Sequence, residues 1–165
     1  MKKNEEKTNV MRLLDAKKIE YKSYNYVDSG VISGIDVASV LGEDPARVFK
    51  TLVTEGASKK NYVFLLPVRD ELDLKSAARA VGEKSIAMIK SKDLLPLTGY
   101  IHGGCSPIGM KKKFPTWIDE SALQFERITV SSGTRGAQLL LSREALVRFV
   151  EAKVADLTEK SENNT

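Results

Sequence analysis

The chain has 165 residues, 42% hydrophobic and 29% charged, which fits one globular domain with a real core and excludes disorder as its main state. A single cysteine and a single histidine exclude an intrachain disulfide and a Cys-based zinc site, and would leave a metal site to carboxylates, so no metal or other cofactor is expected. Lys and Arg number 26 against 22 Asp and Glu; the net charge of +4 permits an anionic partner without demanding one.

The opening MKKNEEKTN is charged and no apolar run follows it. It reads as neither a signal peptide nor a membrane anchor, so the expected compartment is the cytoplasm, with residues 1–7 a flexible N-terminus. Thr8 is a candidate N-cap, and Val10, Leu13, Leu14 and Lys17 recur at helical spacing, predicting an amphipathic helix over Thr8 to Lys18. Tyr21, Tyr24 and Tyr26 fall in the first candidate strand. A loop at Ser29 to Ser33 precedes a short helical pattern, Ile35, Val37, Ala38 and Leu41, closed by Gly42. Asp44 and Pro45 can cap a further turn leading into VFKTLV, Val48 to Val53, whose β-branched and aromatic content suits a strand.

The polar TEGASKKN separates that strand from YVFLLPV, Tyr62 to Val68, its expected hairpin partner and a strand buried on both faces, with Pro67 near its end. Leu74 to Val81 is predicted helical, stopped by Gly82; Ser85 to Ile89 is a short strand, and Ser91 caps a small helix ending at Thr98-Gly99. GYIHGGCSPIGMKKKFPTW is too rich in glycine and proline for a regular element. Ile118, Phe125 to Val130 and Gln138 to Leu141 are candidate strands, the last two joined by SSGTRG. Ser142 caps a final helix expected to run through Val154, and the residues after it, 155–165, are expected to fray. Elements without regular βαβ spacing predict a single α+β domain over residues 8–154 around a mixed sheet. No GxGxxG or GxxxxGK is present, which disfavours dinucleotide and P-loop sites.

Three segments can carry chemistry. Strand alternation gives Lys50 the same face as Val48 and Leu52, where an ammonium group is costly unless it snorkels to solvent or meets an anion or a developing oxyanion. Gly103-Gly104-Cys105-Ser106-Pro107 can present consecutive amides as an anion nest, or simply form a wide turn. A Cys105 nucleophile would need a base and a group to orient it; His102, three residues away, is the only histidine. Ser131 to Gly136 offers hydroxyls and Arg135 to a phosphate or carboxylate, or is a plain hairpin with a solvated arginine. Lys111, Lys112 and Lys113 are a solvated face or a phosphate-steering run. Trp117 nearby reads as core packing.

PARVFKTLV at Pro45 to Val53, LPV and ELDLK between Leu66 and Lys75, TGYIHGGCSPIGMKKKFPTWID at Thr98 to Asp119 and SSGTRG at Ser131 to Gly136 stand in order, with KTN at Lys7 to Asn9 before them. In these stretches the chain resembles the YbaK/EbsC family of trans-acting aminoacyl-tRNA editing proteins, and within it the Cys-tRNA(Pro) deacylase branch. The resemblance implies a mostly antiparallel, barrel-like α+β core similar to the editing domain of prolyl-tRNA synthetases. It implies a catalytic set of Lys50, Gly103, Gly104 and Ser106. Tyr21, Thr51, Cys105, Pro107, Ser132, Gly133 and Arg135 would line the aminoacyl and terminal-adenosine site, with Cys105 shaping the pocket rather than reacting. Lys111, Lys112 and Lys113 would meet the nucleic acid. The implied partners are aminoacylated tRNA and prolyl-tRNA synthetase, and the implied chemistry is substrate-thiol-assisted loss of cysteine. A water-using deacylase for alanine or another small amino acid, and a non-catalytic tRNA-binding relative, stay open beside it.

Overall fold

A computed structural model describes residues 7–25 and 44–159. The first helix, α1 (Asn9–Ala16), starts where the sequence indicates: Thr8 Oγ1 accepts the Met11 N–H at 3.2 Å, and Val10, Met11 and Leu14 are buried. Eight strands follow among the described residues: β1 (Tyr21–Asn25), β2 (Phe49–Gly56), β3 (Asn61–Pro67), β4 (Ile86–Met88), β5 (Thr116–Asp119), β6 (Arg127–Ser131), β7 (Ala137–Ser142) and β8 (Lys153–Ala155). Helix α2 (Leu74–Val81) lies between β3 and β4, α3 (Ser91–Thr98) between β4 and β5, and α4 (Arg143–Val150) between β7 and β8. The helical pattern at Ile35 to Leu41 lies outside the described residues, as do Tyr26 and the loop at Ser29 to Ser33.

The α+β expectation holds, as two sheets rather than a barrel. One is antiparallel, in the order β1-β7-β6; the other runs β4-β2-β3-β5-β8, antiparallel through β4, β2 and β3 and parallel from β3 to β8. Among the described residues they do not close. They meet where Val48 forms an isolated parallel bridge to Thr129, whose N–H donates to Arg47 O at 3.0 Å. The largest buried cluster, with Leu14, Phe49, Leu65, Ile108, Ile128, Val130, Leu139 and Leu141, fills the space between α1, α4, the inner face of the small sheet and one face of β2–β3. The opposite face of β2–β3 carries Leu52, Tyr62, Phe64 and Leu66 against Ala77 and Ala78 of α2.

Three expectations are corrected. The last helix ends at Val150, because Glu151 turns the chain at φ +56 and sends Lys153–Ala155 alongside β5. The segment after 154, expected to fray, is packed as far as Glu159: Leu157 is fully buried, its N–H donates to Asp119 Oδ1 at 2.8 Å, and the Glu159 N–H donates to Glu71 O at 2.9 Å. One buried leucine among polar neighbours carries no periodic signal, which is why the pattern missed it. Ser91 is the first residue of α3 rather than its cap; Lys90 holds the cap position without a side-chain bond.

Candidate functional site

The irregular chain from Gly99 to Met110 is held from both sides. Tyr100 OH donates to Ile108 O, pinching the loop at its base, and the Ile108 N–H donates to Ser106 Oγ at 3.2 Å. Within the loop the Gly104 N–H donates to Ile101 O at 2.9 Å. Among the described residues, the N–H groups of Gly103, Cys105 and Ser106 donate no hydrogen bond. Three of the four amides singled out in the sequence are therefore unengaged.

The second loop, Ser132 to Gly136, docks directly on the first. Arg135 reaches across to donate from Nη2 to His102 O at 2.8 Å. A Cβ on Gly104 would lie 2.9 Å from Arg135 N and 3.0 Å from the Thr134 carbonyl carbon, so this glycine is required by backbone against backbone. Gly103 adds a left-handed φ of +90 and faces the Arg135 side chain, while Gly133 at φ +105 packs on Tyr100. The structure thus brings together Gly103, Gly104, Gly133 and Arg135, with Ser106, Pro107 and Ser132 buried beside them.

Alternation along β2 divides the other candidates. Thr51 lies on the face of Phe49 and Val53; Cys105 packs with Val53, Val63 and Leu94 on that side, and Ile108 packs with Phe49. Thr51 therefore shares its face with the glycine-rich loop, and its Oγ1 is buried without a hydrogen-bond partner. Lys50 leaves β2 on the opposite side, level with Leu66, half-buried and with no ion-pair partner among the described residues. Its neighbours follow from the sheet junction. With Val48 bridged to Thr129, Lys50 falls on the side of the small sheet that carries Thr129, Ser131 and Gln138, Ser131 and Gln138 being paired across β6 and β7.

Of these, Thr129 and Gln138 are the residues that sequence reasoning missed, whereas Ser131 opens the candidate loop singled out there. Thr129 Oγ1 and Gln138 Oε1 are buried without a hydrogen-bond partner, as is Ser132 Oγ. An unpaired buried oxygen costs about 1–3 kcal/mol, so a cluster of them marks a surface that a polar ligand can satisfy. The signal was present: Gln138 interrupts the apolar run of β7 on the face opposite Leu139 and Leu141.

Tyr21 stands elsewhere. It faces the core on the α1 side, and burial followed by its hydrogen bond to Asp15 raises its pKa; Asp15 in turn bonds Lys7 at 2.5 Å. Burial pushes the Cys105 thiol up to about 12, so it is protonated at neutral pH and is no ready nucleophile. No hydrogen bond joins it to His102 among the described residues. Tyr100 is likewise pushed up to about 12, first by burial and then by Cys105. Lys111, Lys112 and Lys113 are exposed, and Lys113 Nζ pairs with Glu151 at 2.7 Å. Among the described residues no three His, Cys, Asp or Glu side chains gather as a metal set, and no helix is long and apolar enough to cross a membrane.

The model of the aminoacyl-tRNA editing domain matches residues 32–149, and the chain belongs to that family. Aminoacyl-tRNA is accordingly its substrate class. A protein of Enterococcus faecalis provisionally named Cys-tRNA(Pro)/Cys-tRNA(Cys) deacylase EbsC is similar, at 46% identity over 96% of this chain and 98% of its own. A solved structure described as a candidate trans-editing enzyme for prolyl tRNA synthetase has 25% identity and a TM-score of 0.80, covering 92% of this chain and 95% of its own. A solved hypothetical protein at 22% identity shares the fold, with a TM-score of 0.83 over 91% of this chain and 99% of its own.

Proposed function

We propose that this protein is a cytoplasmic deacylase that clears cysteine misattached to tRNA(Pro), and also acts on Cys-tRNA(Cys), with the substrate's own thiol as nucleophile. The observation that carries the reading is the 46% identity, across nearly the full length of both chains, with the relative bearing that name. The likeness to a candidate trans-editing enzyme supports prolyl-tRNA synthetase as the partner beside which it works.

The chemistry needs little from the protein. The cysteinyl sulfur attacks its own carbonyl carbon; the new S–C bond forms as the ester C–O bond to the terminal ribose breaks, and the thiol proton passes to the departing hydroxyl. The products are a cyclic thiolactone and tRNA with a free terminal ribose. An intramolecular attack in the right geometry can account for about 7–11 kcal/mol of the barrier, so orientation is the main task. In this reading Lys50 holds the charge that develops on the carbonyl oxygen, and the unengaged amides of Gly103, Cys105 and Ser106, on the other side of β2, hold the terminal ribose. Gln138, on the Lys50 side, brings a buried polar atom to the amino acid, and Thr51 and Ser132 bring theirs to the ribose; Arg135 and Gly133 brace the loop, and Cys105 and Pro107 give the pocket its shape.

Release of amino acid from Cys-tRNA(Pro), Ala-tRNA(Pro) and Pro-tRNA(Pro) by wild-type protein and Lys50→Ala tests the proposal. The expected result is cysteine-selective release that falls about 10²–10³-fold in the variant, the loss typical of a removed oxyanion donor. Undiminished activity in Lys50→Ala, or faster release of alanine than cysteine, overturns it.

A further inference from the structure

The loop that carries the candidate amides has a second wall. Its C-terminal half lines a cavity of about 230 Å3 closed by Phe114, Phe149 and Val150, with Lys112 and Lys113 at its mouth. Both phenylalanines are half-buried: Phe114 packs on the cluster containing Val53, and Phe149 on the main core, so each is fixed from behind. A slot with two phenylalanines in its lining and lysines beside them is complementary to one nucleic-acid unit, with the base on the aromatic rings and the phosphate on the ammonium groups. The slot is smaller than the roughly 300–1,000 Å3 of sites for drug-sized ligands, which suits a single ring system. Glu151 holds Lys113 at 2.7 Å, which leaves Lys112 as the cation open to a phosphate. From Gly104 to Pro107 the chain spans at most about 11 Å, so the slot adjoins the amides around the ester.

The geometry points to a nucleotide subsite here: this cavity takes an unpaired nucleotide of the tRNA 3′ end, next to the aminoacylated adenosine. The inference rests on the reading of the protein as a tRNA deacylase and adds where the single strand is held.

The test is binding of uncharged tRNA(Pro), intact or lacking its three 3′-terminal nucleotides, to wild-type protein, Lys112→Ala and Phe114→Leu, the last keeping an apolar filling so that the fold survives. Each variant is expected to weaken binding of intact tRNA about fivefold or more, the scale of one lost stacking or phosphate contact, and to leave binding of the truncated tRNA unchanged. Equal weakening of both tRNAs, or of neither, overturns the subsite. Because no ester is cleaved in this assay, a protein that releases no cysteine yet shows the 3′-end dependence would refute the deacylase reading alone.

Discussion

Gly104→Ala isolates the contact on which the two loops depend. The added methyl carbon would sit 2.9 Å from Arg135 N and 3.0 Å from the Thr134 carbonyl carbon, where ordinary contacts begin at 3.4 Å, so the loops must part by about half an ångström. Neither neighbour is the free end of a side chain, and overpacking of this kind costs about 1–3 kcal/mol. At about 2–4 °C per kcal/mol the melting temperature should drop measurably. The loss in kcat/KM on Cys-tRNA(Pro) should be larger, up to about 10²-fold, because the displaced backbone carries the amides around the ester. Arg135→Ala supplies the internal control. It removes the side chain that a methyl on Gly103 would meet at 3.0 Å but leaves the backbone that a methyl on Gly104 meets. In double-mutant cycles Arg135→Ala should therefore offset part of the cost of Gly103→Ala and none of the cost of Gly104→Ala. A Gly104→Ala protein with wild-type melting temperature and wild-type kcat/KM would refute the reasoning.

Two further outcomes follow from the buried polar groups. The folded Cys105 thiol ionises near 12 against 9.0 for an ordinary thiol, so its contribution to stability is complete below about pH 9 and is lost as pH rises towards 12; Tyr100 acts likewise from 10.0 upwards. Cys105→Ala should move the onset of alkaline destabilisation up by about one pH unit in urea titrations, and identical pH profiles for the two proteins would contradict this. Asp119 is 2% exposed and accepts from Leu157 N–H and Ser121 N–H, so Asp119→Ala should cost about 2–4 kcal/mol and open residues 153–159 to proteolysis, whereas a change below about 0.5 kcal/mol would show that the packed C-terminal segment holds without it.

How much of this was legible beforehand divides along physical lines. Elements with local signals were readable: Thr8 and Ser142 as caps, Gly82 as a left-handed stop, and the β2–β3 hairpin with Pro67 at its end. Both loops of the candidate site were visible as glycine-rich interruptions. Their clasp was not, because the docking of Gly104 on Thr134 and Arg135 is a contact between segments 30 residues apart in sequence that no local pattern encodes. The pairing of Lys50 with a face also needed the tertiary bridge from Val48 to Thr129, which sets it beside Gln138 and Ser131 while Thr51 faces the glycine-rich loop. Tyr21 is an aromatic whose strand is a local signal but whose face is decided by α1. Leu157 and β8 were lost for the same reason, since a three-residue strand is defined by its neighbour β5 and not by its own sequence.

The central claim is that the substrate's thiol makes the attack. Single-turnover rates on Cys-tRNA(Pro) and on its S-methyl analogue, with the released product captured by a thiolactone-reactive amine, test it directly. The account predicts rapid release of a trappable thiolactone from the natural ester and a loss of about 10²-fold or more when the sulfur is blocked. Equal rates on the two esters, with free acid as the only product, would contradict it and assign the attack to water.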